Sequence, residues 1–137
     1  MAKKVISLGL VLFGVHFTAV FYSLYWKIRW VDIPMHFSGG VLVGLVFLWL
    51  VEMYPQQFKL PSNFWARALL IVSFGALMGV VWEFTEFTYG LVAIGNGLRP
   101  AQQGVADTMG DLFFDIIGAF TVATFQKLIY NGKDQND

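Results

Sequence analysis

Six of the chain's nine acidic residues, together with one of its two histidines, fall into three short groups. Asp32 and His36 form D-x3-H, Glu83 and Glu86 lie in W-E-F-T-E-F, and Asp107, Asp111 and Asp115 lie in A-D-T-M-G-D-L-F-F-D. Spacings of three and four put each group on one face of a helix. An oxygen-rich set with one imidazole suits Mg2+, Mn2+ or Ca2+, with Zn2+ or Fe2+ reachable through His36. The expected divalent-metal set is Asp32, His36, Glu83, Glu86, Asp107, Asp111 and Asp115, with His36 or Glu86 the candidate general base. Paired carboxylates would allow two ions. Each residue also has a purely structural role open to it. Asp32 and Asp107 could cap helices, His36 could face the headgroups, and Glu83, Glu86, Asp111 and Asp115 could form a satisfied polar network.

The elements that must position these groups are set by composition. The 137 residues are 57% hydrophobic and 13% charged, against about 25% charged in soluble domains. One domain of this length could not hide so much apolar surface in water, so a bilayer is the expected solvent. The expected fold is all-α: a polytopic membrane protein of four transmembrane helices in one up-down bundle, spans at about 5–26, 35–54, 64–89 and 106–130, and a polar tail at 131–137. The uncharged stretch from residue 5 to residue 26 exceeds the ~7–15-residue core of a signal peptide. It ends in Tyr25, Trp26 and Lys27, an interfacial anchor, so it reads as a retained span. Prolines and glycines punctuate the connections.

Up-down connectivity brings the three acidic groups to one side of the membrane. Lys3, Lys4, Lys59, Arg67, Lys127 and Lys133 would share the other side, against Lys27, Arg29 and Arg99 with the cluster. The excess predicts both termini in the cytoplasm. Small residues continue each acidic face: Gly40 and Gly44 after His36, Gly75 and Gly79 before Glu83, Gly118 and Ala119 after Asp115. Such stripes mark close helix approach, so the acidic faces should look inward. At ~1.5 Å per residue, Asp115 lies on the order of 13 Å along its helix from Ala106. Carboxylates at that depth cost at least ~2.5–3.5 kcal/mol each on the mildest scale. With no Lys or Arg in the spans nearby, protons, water or divalent cations must neutralise them. His16, mid-span with no acidic partner at helical spacing, reads as a packed, hydrogen-bonded residue.

Several chemistries drop out. There is no cysteine for thiol catalysis or thiolate metal sites, no phosphate-binding glycine loop, and Ser38 lacks a triad. Zero net charge argues against nucleic acid as a partner.

The order Asp32, His36, Gly39, Gly40, then Trp82 to Phe87 as W-E-x2-E-F, then Asp107 to Ala119 as D-T-x2-D-x3-D-x2-G-A, resembles the YjdF-like bacterial membrane proteins. More remotely it is similar to the VanZ-like proteins, departing from them at Asp115, where an amide residue is expected. The resemblance covers the chain from residue 32 onward and implies a small multi-pass protein of the inner (plasma) membrane. It supports the site and names no reaction. Three functions fit these readings. One is a metal-dependent enzyme, a hydrolase or transferase, acting on a lipid or polyprenyl substrate. The second is a cation- or proton-translocating component, alone or as a homo-oligomer. The third is an accessory membrane protein without catalysis.

Overall fold

A computed structural model describes residues 1–130, apart from the side chains of Arg29 and of residues 127–130. The expected polar tail at 131–137 with Lys133, and the side-chain anchors Arg29 and Lys127, lie outside the described residues. In chain order the helices are α1 (Ala2–Phe21), a short α2 (Leu24–Lys27), a 3-10 turn (Arg29–Val31), α3 (Asp32–Met53), α4 (Phe64–Gly95) and α5 (Val105–Tyr130). Four of them, α1, α3, α4 and α5, are long and apolar enough to cross a bilayer. Burial is inverted relative to a soluble protein. Phe13, Phe84 and Leu91 are each at least 60% exposed, whereas Glu83 and Asp111 are 4% exposed and His36 and Asp115 are 6%. Only an apolar surround makes that distribution favourable.

The long helices alternate in direction: Met1 meets Glu52 while Gly9 faces Leu42, and Gly75 and Gly79 face Ala119 and Asp115. Helix α5 packs against both α3 and α4. The α3–α5 crossing is the tightest. A Cβ built on Gly40 would collide with the Asp115 carbonyl, and one on Gly118 would collide with the Phe37 carbonyl and lie 2.8 Å from the Val41 nitrogen. On the α4 side, a Cβ on Gly75 would come 2.5 Å from the Ala119 Cβ. The small-residue stripes do pack helix on helix. Toward the end that carries the N-terminus, the interior closes with Leu48, Ala68, Ile71, Ala119, Val122 and Ala123, against which Met1, Leu60 and Phe64 pack.

These contacts yield a stability prediction. Gly40→Ala and Gly118→Ala must displace backbone, so each is expected to cost ~3 kcal/mol or more, at or above the usual range for overpacking. Gly110→Ala in α5 meets nothing within 4 Å and should gain ~0.5–1 kcal/mol from helix propensity. Thermal unfolding in detergent reads both. A Gly118→Ala protein as stable as wild type would contradict the crossing.

Three element boundaries differ from the sequence expectation, and each bears on the site. The first span stops at Phe21 instead of running to residue 26. Ser23 takes a left-handed φ of 56°, and the chain turns so that α2 tucks Tyr25 against the bundle, 8% exposed. The third span continues to Gly95. Glu86 therefore lies nine residues before the end of α4, about 13 Å from it at 1.5 Å per residue, and not in its last turn. Helix α3 begins at Asp32 itself, preceded by the 3-10 turn, and Asp32 makes no side-chain cap bond. Its carboxylate is left for other partners. By contrast, Asn63 does cap α4, accepting from the Ala66 N–H at 3.1 Å.

Candidate metal centre

His36 is the hub. It sits one turn into α3 because Asp32 opens that helix, and i, i+4 spacing stacks the two side chains. Its Nε2 lies 3.6 Å from Asp32 Oδ1 and 3.7 Å from Asp111 Oδ1. Its Nδ1 makes a long hydrogen bond, 3.4 Å, with Asp115 Oδ2. Asp111 and Asp115 reach it from one face of α5, held close by the glycine crossing. Asp115 is seated against α4 as well, where a Cβ on Gly79 would come within 2.5 Å of Oδ2. Among the described residues, His36 is the only basic side chain paired with these three carboxylates.

The donor set fits a cation by distance and by chemistry. One donor atom each from Asp32, His36 and Asp111 fall within 4.8 Å of one another. At ~2.1–2.4 Å per bond, two donors on one ion stand up to ~4.2–4.8 Å apart. Asp115 on the opposite ring nitrogen reproduces the carboxylate–histidine–metal relation that fixes the tautomer and orients the imidazole. Two buried carboxylate oxygens, Asp111 Oδ2 and Glu83 Oε1, have no hydrogen-bond partner in the protein. An unpartnered buried acceptor costs ~1–3 kcal/mol, more when charged, so both call for a proton, a water or a cation.

The remaining acidic residues are placed differently. Glu83 gives its other oxygen, Oε2, to the Gln102 side-chain amide at 3.2 Å, and that amide also bonds Thr108 at 2.7 Å. Asp107 accepts the Gln103 backbone N–H at 3.0 Å, pinning the loop that enters α5. Glu86 accepts the Trp82 indole N–H at 3.0 Å and lines the neighbouring cavity. Of the seven residues expected in the set, the close triad is therefore Asp32, His36 and Asp111. Asp115 stands behind the ring, and Glu83, Glu86 and Asp107 have bonds of their own around it.

His16, Tyr25, Trp82, Gln102 and Gln103, all outside that expectation, pack around the group. The loop between α4 and α5 turns at Gly97 (φ 72°) and Gly104 (φ 125°), both left-handed-side conformations that suit glycine. It folds back so that Pro100 lies over Gly90 and Gln102 and Gln103 reach inward. Gln103 donates to the Tyr25 carbonyl at 3.2 Å, tying this loop to α2. The Tyr25 hydroxyl and His16 Nδ1 share a 2.8 Å hydrogen bond, and the His16 ring meets Trp82 edge-on at 5.4 Å. Burial, then the nearby Asp32 and Glu86 carboxylates, push the Tyr25 phenol above its ordinary pKa, so it stays neutral. The sequence read His16 as packed and hydrogen-bonded, and it is. No periodic signal linked it to Tyr25, because the link depends on the chain reversing at Ser23.

Four apolar helices around a buried carboxylate–imidazole group define a multi-pass membrane protein. The chain belongs to the family described as "Predicted membrane protein (DUF2238)", which it matches over residues 4–132, in keeping with the YjdF-like resemblance. It is similar to an uncharacterized protein of Thermotoga maritima, 32% identical over 117 residues, a match covering 82% of this chain and 54% of the relative. The chain thus spans about half the length of that relative. No solved structure matches.

Proposed function

We propose that this protein is a divalent-cation-dependent membrane enzyme, a hydrolase or transferase acting on a lipid or polyprenyl substrate. The observation carrying this reading is the Asp32–His36–Asp111 triad, with Asp115 behind the imidazole and an unpartnered buried oxygen on Asp111. Asp32, His36 and Asp111 would hold the ion, which when bound would acidify a water and polarise the bond under attack. With a metal bound, Asp115 would accept the ring proton's hydrogen bond from Nδ1 and leave Nε2 to ligate. Glu86 stands at the cavity wall as the candidate base, oriented by the Trp82 indole. The apolar helices around the site exclude bulk water, which strengthens each charge interaction there. The excess of basic residues at the other end supports a site facing the outer side of the inner membrane.

Passage of cations across the bundle is the less favoured reading. The end opposite the site is closed by Leu48 and Ile71, both fully buried, and by the alanines and valine packed on them. A conducting path needs polar groups or a water-filled lumen along its length.

The test is metal content after purification without chelators. Stoichiometric divalent metal is expected in wild type, none in Asp111→Asn, and an affinity ~10–100-fold weaker in Asp115→Asn, the usual effect of losing an orienting partner. A membrane-impermeant chelator applied outside right-side-out vesicles should strip the metal. Equal metal content in wild type and Asp111→Asn would sink the proposal, and stripping only after the vesicles are opened would overturn the orientation.

A further inference from the structure

Two cavities meet beside the triad. The larger, about 320 Å³, is lined in part by Asp32, His36 and Asp115 and in part by apolar side chains such as Leu12 of α1 and Leu42 of α3. The second, about 260 Å³, shares His16, Tyr25, Asp32, Trp82 and Glu86 with it. This second cavity differs in kind. Tyr25 and Trp26 of α2 and Trp82 and Tyr89 of α4 line it, and its charged residues are Asp32 and Glu86. Among the described residues no Lys or Arg lines it.

The polar edges of two of these rings are already spent. The Trp82 indole N–H goes to Glu86 Oε1 at 3.0 Å, and the Tyr25 hydroxyl shares a 2.8 Å hydrogen bond with His16. What both rings have left to offer a ligand is their π surface, which attracts cations. Glu86 uses Oε1 for the indole, which leaves Oε2 for a further partner. Aromatic rings and carboxylates together, with no basic residue, suit a cation that is itself partly apolar. An alkylammonium group is such a cation. A bare metal ion would want the oxygen donors gathered at His36 instead, and a neutral hydrocarbon would do nothing to offset the buried charge of Asp32 and Glu86. The helices around both cavities expose apolar side chains outward, so a ligand arriving from the side carries a hydrocarbon chain.

A divalent ion on the triad does not reverse this preference. It would sit in the wall of the larger cavity, where His36 and Asp115 are, and neither of those lines the aromatic one. Asp32, Asp111 and Asp115 around His36, with Glu86, carry more negative charge than one such ion brings, so the region stays acidic with the ion bound. A phosphate in the same head would face the ion. The aromatic cavity selects the ammonium group.

We propose that the aromatic cavity binds the ammonium group, primary or methylated, of a lipid whose chain lies in the larger cavity. This rests on the enzyme reading above for the lipid's role as substrate, and it names the substrate class as ammonium-bearing lipids.

Photo-labelling tests it. Three probes share one long alkyl chain with a diazirine beside the head: a trimethylammonium, a primary ammonium, and the tert-butyl isostere of the first, which keeps its shape and loses its charge. Each is incubated with the full chain in maltoside micelles, which contain neither charge nor ammonium, and adducts are mapped by mass spectrometry. The better ammonium probe should label the peptides holding Trp26 and Tyr89 at least about tenfold more than the isostere, the discrimination of a desolvated cation–π site. Trp26→Leu/Tyr89→Leu should cut that ratio about fivefold or more, whereas Trp26→Phe/Tyr89→Phe, which keeps the rings, should retain most of it. Equal labelling by the isostere overturns the proposal. So does a ratio that the leucine pair leaves unchanged, or one that the phenylalanine pair loses as fully. The wild-type comparison decides even where a double variant fails to fold. Metal content is measured on the same samples and should not change in either pair, since neither touches the triad. Bound metal without ammonium preference defeats this inference alone, and ammonium preference without bound metal defeats the enzyme reading alone.

Discussion

Chelation of divalent cations is expected to lower the melting temperature of the wild-type protein by about 10 °C and to leave that of Asp111→Asn unchanged. The size follows from mass action: a ligand at 100 times its Kd stabilises by ~2.7 kcal/mol, and for a chain of this length each kcal/mol moves the midpoint by roughly 4 °C. The sign of the substitution should then depend on the metal. With metal present, Asp111→Asn loses a ligand and falls below wild type by the binding term. In chelator, the same change removes a buried charge that has one unpartnered oxygen and that faces Asp32 and Asp115 around one imidazole. Relief of that repulsion should leave Asp111→Asn at least as stable as wild type. A network that merely holds the helices together gives one penalty for Asp111→Asn with or without chelator. Differential scanning fluorimetry on both proteins, with and without a few equivalents of Mn2+ or Mg2+, distinguishes them. Identical midpoints in all four samples would refute a resident cation.

The part of this site that could be read from sequence is the part governed by helix periodicity. Asp32 and His36, Asp111 and Asp115, and Gly40 and Gly118 are each one turn apart or on a continuing face, and α3 and α5 do bring those faces together. Charge in an apolar span has nowhere to point but inward, so convergence of three acidic faces followed from cost alone. What periodicity could not show is which nitrogen of His36 meets which carboxylate, because that depends on ångström-level placement at the crossing. It also could not show the reversal at Tyr22 and Ser23. An unbroken apolar run reads as one helix through residue 26, and nothing local announces that Tyr25 will return to His16 nine positions earlier. Gln102 and Gln103 were hidden for a related reason. Loop residues carry no period, and their amides matter only because Gly97 and Gly104 let the chain fold back over α4. The position of Glu86 well inside its helix was hidden because α4 continues beyond the expected end at residue 89 to Gly95. At 32 residues, roughly 48 Å, α4 is longer than a ~30 Å hydrocarbon core requires. Length beyond the span is unconstrained by hydropathy.

The second large effect concerns His36, and it tests the geometry whether or not a metal is present. His36→Ala removes the one basic group paired with Asp32, Asp111 and Asp115 among the described residues, all three within 3.7 Å of the ring. Breaking a buried ion pair by deleting one partner costs ~3–5 kcal/mol, because the surviving charges are left without compensation. A loss of that size is expected in chelator. The loss should be partly undone by removing a carboxylate that faced the ring. His36→Ala/Asp115→Asn and His36→Ala/Asp111→Asn are each expected to recover ~1–3 kcal/mol over His36→Ala alone, the range for coupled neighbours. Glu86→Gln is the control, since Glu86 bonds Trp82 at the cavity wall and has no ion pair with His36. Its cycle with His36→Ala should show a smaller coupling than either aspartate. Equilibrium unfolding in mixed micelles gives all three couplings on one scale. If Glu86→Gln rescued as well as Asp115→Asn, the imidazole would be feeling only the net charge of the region. Selective rescue by the aspartates means that specific atoms meet at this ring, as ligation or orientation of His36 requires.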